Sequence, residues 1–154
     1  MRKHFLLIMT IIMILAATLL TACGSTEGNN DNDIAQVTTI TDMAGREVAV
    51  PANIEKVYTS GQVSTIMLYC LDPDKLLGWN YELNDLEKAF ILESYQNLTA
   101  YGMGDSVNYE AIIADGPQLV VTAGKLDENA IADADAMQEQ LGIPVFMLSG
   151  DLQD

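Results

Sequence analysis

The sequence predicts an α/β domain: a parallel sheet built from βαβ units, with helices on both faces, preceded by a β-hairpin. Three observations carry this. Short β-prone runs alternate with helical segments from Lys56 to Ser149. The connections are too short to divide that stretch into separate domains. Two β-prone runs flank Gly45, whose freedom to take positive φ suits a hairpin turn. With 154 residues, 49% apolar and 19% charged, the chain suffices for one globular domain with appendages. Its 7 Lys+Arg stand against 22 Asp+Glu, a formal charge of -15. Such a chain repels the nucleic-acid backbone, so nucleic-acid binding is excluded as a function.

The elements follow in order. Met1-Arg2-Lys3-His4 is a basic start, and residues 5–20 form an apolar run ending in the small residues Thr21-Ala22 before Cys23. This is the pattern of a secretory signal peptide over residues 1–22. The run is too short for a membrane-spanning helix, which needs ~20 apolar residues, and it gives way to a polar Gly24-Ser25-Thr26-Glu27-Gly28 tract. Leu20-Thr21-Ala22-Cys23 resembles the bacterial lipobox, which makes Cys23 the expected lipidated terminus. Acyl chains there, at about 0.8 kcal/mol per buried CH2, would hold a soluble domain on a membrane. Residues 23–37 are polar and rich in Gly and Asn, a flexible tether to the folded part, residues 38–154.

Removing the leader removes Arg2, Lys3 and the only histidine, His4. A chain without histidine builds no Ser-His-Asp triad, no Cys-His pair and no HExxH zinc site. Cys23 and Cys70 lack CxxC spacing, so neither a zinc cage nor a disulfide framework is expected. Cys70, within an apolar run, reads as a small buried hydrophobe.

The hairpin spans residues 38–51, and a strand follows at Lys56-Val57-Tyr58-Thr59-Ser60. The patterning then predicts a helix over about Gln62–Leu71, a strand over Lys75–Trp79, a helix over Asn84–Glu93 and a weak strand near Thr99-Ala100-Tyr101. Asn108 is placed to cap a short helix that Gly116-Pro117 stops before the strand Gln118–Ala123. A last helix over about Asn129–Leu141 is closed by Gly142 and leads to the strand Pro144–Ser149.

Neither GxGxxG after the first strand nor GxxxxGK[ST] occurs, so no nucleotide site and no cofactor is expected. In open parallel sheets ligands sit beyond the carboxyl ends of the strands. That rule selects Ser60, Gln62, Trp79, Tyr81, Met103 and Lys125 as candidate ligand contacts. Trp79 and Tyr81 suit stacking, although a lone tryptophan equally suits the core. Lys125 suits an anionic ligand or, as surface lysines usually do, solvent. Ser60, Gln62 and Met103 are selected by position alone.

Thr41-Asp42-Met43-Ala44-Gly45-Arg46-Glu47-Val48-Ala49-Val50-Pro51, Lys56-Val57, the run from Asn108 to Val121 and Leu141-Gly142-Ile143-Pro144-Val145 occur in a telling order. Together they resemble the amino-terminal lobe of ABC-transporter substrate-binding proteins for iron-siderophore, haem and cobalamin, over about residues 38–150. One departure is Gln118, where the family usually has Asp after Pro; it reads as a change of one surface residue.

The resemblance implies a non-enzymatic solute receptor on the extracytoplasmic face of the cell membrane, anchored through Cys23. It would capture a metal chelate (siderophore, haem, cobalamin) or an oxoanion between two lobes and deliver it to an ABC permease. Glu110, at the family's Asn-x-Glu position, would dock on permease arginines. Family members carry a long linking helix and a second lobe, neither of which precedes Asp154, so a fragment or truncated product of marginal stability is expected. The rival readings are a surface lipoprotein that no longer binds a ligand and a lipoprotein enzyme on the same fold.

Overall fold

A computed structural model describes residues 37–151. The predicted leader, the lipidation site Cys23 and nearly all of the tether lie outside the described residues. The tether's last residue does not: Val37 opens strand β1 (Val37–Thr41) and pairs with Pro51 of β2 (Glu47–Pro51) in an antiparallel ladder.

The hairpin turn is a polar staple. The buried Asp42 carboxylate accepts from the backbone N–H of Ala44 and of Arg46, and it also accepts from the N–H of Met147. Arg46 pairs with Asp42 at 3.2 Å and with Asp135 at 2.9 Å, and it donates to the Val145 carbonyl. Gly45, at φ +80°, takes the left-handed corner that this turn needs. The Thr41–Arg46 motif therefore acts structurally: it ties the hairpin to β5 (Val145–Ser149) and to α4 (Glu128–Leu141).

The main sheet has three parallel strands in the order β3 (Val57–Thr59), β4 (Leu119–Gly124), β5. Side chains alternate between its faces. Tyr58, Val120, Val145 and Met147 pack on one side with Ile112 of α3 (Tyr109–Asp115) and with Ala134 and Leu141 of α4. Val57, Leu119, Val121 and Phe146 face the other side, covered by Val48 and Val50 of the hairpin and Leu68 of α1 (Gln62–Leu71). The helices begin and end where local chemistry dictates. Asn108 accepts from the N–H of Ala111, Asp127 accepts from the N–H of Ala130, and Gly116 and Gly142 close α3 and α4 in the left-handed conformation.

Four expectations are corrected. Residues 75–79 form no continuous strand: Pro73 starts a 3-10 turn over Pro73–Lys75, after which only Leu76 and Trp79 make single parallel bridges, to Val57 and Ala100. The weak strand near Thr99–Tyr101 reduces to that second bridge. The helix expected over 84–93 is one turn, α2 (Asp85–Lys88), followed by a separate 3-10 turn at Glu93–Tyr95. Leu86 and Phe90 are largely exposed, so no buried face prolongs the helix, and the Gln96 amide donates to the Lys88 and Ile91 carbonyls that a longer helix would have used. Cys70 is exposed, because the inward face of α1 is set by Ser64, Thr65 and Leu68.

Gln118 is likewise more than a surface residue. Its side-chain oxygen accepts from the N–H of Glu55 and Lys56, and its amide donates to the Gly116 carbonyl, joining the approaches to β3 and β4.

Candidate functional site

The carboxyl ends of β3, β4 and β5 share one edge. Ser60 N–H donates to the Val121 carbonyl at 3.0 Å, and Gly150 N–H donates to the Gly124 carbonyl at 2.9 Å. Beneath the β3 end lies a buried polar knot. The Thr65 hydroxyl is 2.7 Å from the Thr59 hydroxyl, 2.5 Å from Asn80 Oδ1 and 2.8 Å from the Gly61 carbonyl. With one proton to give, Thr65 donates to one oxygen while the Thr59 hydroxyl donates to it. Asn80 Nδ2 returns to the Thr59 carbonyl at 2.8 Å. The knot locks the β3–α1 turn to the loop after Trp79, and every polar atom in it is satisfied.

That lock shapes a recess of about 280 Å³ between the exposed face of α1 and the segment from Trp79 to Ile91. Gln62, Trp79 and Tyr81 all line it, together with Ile66, Glu87 and Phe90. Trp79 is nevertheless a core residue at 3% exposure: its indole N–H donates to the Tyr95 carbonyl at 2.8 Å and its ring lies 5.6 Å from that of Tyr69. It forms a wall of the recess, not a mobile contact. Tyr81 is at the rim, its hydroxyl 2.9 Å from Glu87 Oε1. That hydrogen bond, with some burial and the carboxylate charge, holds the Tyr81 proton more tightly than in an ordinary phenol.

Lys125 lies past β4 and opens onto neighbouring recesses, one of about 310 Å³ shared with Val63, Gly150 and Asp151 and one shared with Asp127 and Asp133. Ser60 sits at the end of β3 and lines none of these recesses; Met103 lines none either, standing exposed beside the 3-10 turn Gly104–Ser106, where its N–H meets Ser106 Oγ. The structure thus brings together three of the six candidates. Glu110 is exposed in the first turn of α3.

Sequence reasoning missed Thr65, Asn80, Glu87, Ile66 and Phe90. Asn80 and Glu87 carried a signal: a polar residue after a buried tryptophan, and an Asn84–Glu87 spacing that makes the capping box of α2. Ile66 and Phe90 carried none, since apolar helical residues read as core until their exposure is known.

No family model and no curated protein matches this chain. Solved structures do. An ABC transporter solute binding protein from Sulfurospirillum deleyianum is similar with a TM-score of 0.60 and 22% identity, over 73% of this chain and 36% of the other. A periplasmic solute binding protein from Veillonella parvula gives 0.57 and 18%, over 77% and 37%. MolA, a molybdate periplasmic binding protein of Haemophilus influenzae, gives 0.53 and 22%, over 73% and 34%. These likenesses establish the fold, a lobe of the kind that ABC-transporter solute-binding proteins contain. The chain spans little more than a third of their lengths.

Proposed function

We propose that this chain is part of the extracytoplasmic solute-binding component of an ABC importer, holding a metal chelate or related ligand for delivery to a permease. The observation that carries the reading is the recess at the carboxyl edge of the sheet, where folds of this kind bind ligands. It is lined by Gln62, Trp79 and Tyr81 and floored by a locked polar knot, a preformed surface of the sort that binds without chemistry. The fold's likeness to MolA and to two other solute-binding proteins supports it. In this reading Cys23 carries the lipid anchor and Glu110, exposed at a helix start, meets permease arginines. Charged rim contacts of that kind orient and steer a partner more than they add affinity.

The test is calorimetric titration of the 154-residue chain with ferric chelates, haem, cobalamin and molybdate. Saturable binding of one of them at a single site is expected. A folded chain that takes up none overturns the reading. Two companion measurements address the outlying residues: fatty-acid labelling lost in Cys23→Ser, and cross-linking to the permease lost in Glu110→Lys.

A further inference from the structure

We infer that the solute meeting this lobe is a neutral or cationic chelate with an apolar or aromatic face, and not an oxoanion; this rests on the solute-binding reading above. Ile66, Leu83, Phe90, Ile91 and the rings of Trp79 and Tyr81 make most of the recess. Phe90 and Ile66 are 83% and 51% exposed, so they offer apolar surface that has no cover among the described residues. The polar atoms beneath are committed: Thr65 and Asn80 satisfy each other and the ends of β3.

The single charged group lining the recess is Glu87. Its carboxylate accepts from the Tyr81 hydroxyl and from the Asn84 N–H, both at 2.9 Å, which fixes it at the rim. No Lys or Arg lines the recess. Lys125, the basic candidate at this edge, belongs to other recesses and shares them with Asp127, Asp133 and Asp151. An anion entering beside Glu87 would lose its hydration, meet a like charge and gain no cationic partner. A cation or a neutral complex keeps the gain from apolar burial, and a cation adds attraction to Glu87 and to the aromatic faces.

The experiment titrates the 154-residue chain with four probes of defined charge: a cationic ferric trihydroxamate, a neutral ferric trihydroxamate, the trianionic ferric tris-catecholate and molybdate. The cationic and neutral complexes are expected to bind at least about tenfold more tightly than either anion at low salt. Glu87→Gln keeps the capping box and the acceptor for Tyr81 while removing the charge. It should weaken the cationic complex about three- to tenfold more than it weakens the neutral one. Anions binding as tightly as the cationic probe, or a Glu87→Gln variant that discriminates as the parent does, overturn the inference and leave solute capture standing. No binding of any probe removes both.

Discussion

A Cβ on Gly78 would sit 2.2 Å from the Thr99 carbonyl oxygen and 2.6 Å from the Tyr101 ring. Gly78→Ala must therefore push apart the two segments that Trp79 and Ala100 bridge, with a loss of about 2–3 kcal/mol in urea unfolding. Gly124, at the edge of the sheet, faces open space, and Gly124→Ala should change stability by less than about 0.5 kcal/mol. The neighbouring phenols make a second prediction. Burial, helped by Tyr109, pushes the Tyr58 hydroxyl from 10.0 up to about 12. Tyr101 is raised too, first by burial and then by its hydrogen bond to Asp115. A raised folded value means that the unfolded chain loses these protons first. Their contribution is complete below pH 10 and is lost as pH climbs from 10 towards 12, so alkaline unfolding and phenolate absorbance should rise together in that window. Residue roles were legible in sequence where the backbone alone decides them, as with Gly45, Gly116, Gly142 and Asn108. They were not where tertiary neighbours decide. Trp79 has the same local sequence whether it stacks on a ligand or donates to Tyr95, and Gln118 reads as surface until Glu55 and Lys56 are brought beside it.

At the scale of elements, α2 shows how little holds a helix of four residues. Asn84 accepts from the N–H of Leu86 and Glu87, and Glu87 reaches back to the N–H of Asn84, while the helix buries no side chain. Asn84→Ala should cost about 1 kcal/mol locally and release residues 85–90 in amide exchange, with β4 and β5 still protected. The same weakness explains why the periodicity over 84–93 overstated the helix: repeat spacing marks a face, but only packing holds it, and here Leu86 and Phe90 point to solvent. The failed strand at 75–79 has a different cause. Leu76 and Trp79 bridge different partners, so β-prone residues contribute two isolated bridges where no single neighbour runs alongside for five residues. Elements with a cap at one end, a left-handed glycine at the other and a buried face between, such as α4, were readable nearly to the residue.

For the whole molecule, charge is the dominant long-range term. The formal charge is -15, yet the described residues hold only three ion pairs. One of these, Asp42–Arg46, is shielded from solvent, with side chains 0% and 14% exposed, and screening leaves it largely intact. The pairs Arg46–Asp135 and Lys75–Asp72 each involve an exposed carboxylate and contribute little in water. The remaining acids, among them Glu128, Asp133 and Glu139 on α4, repel one another across the surface without compensation. Added salt thus weakens more repulsion than attraction. The melting temperature of the chain should rise by several degrees between low salt and half-molar sodium chloride, and the gain should track ionic strength with little dependence on which monovalent salt supplies it. A melting temperature that falls with salt would mean that the attractive pairs dominate over the repulsion among the unpaired acids.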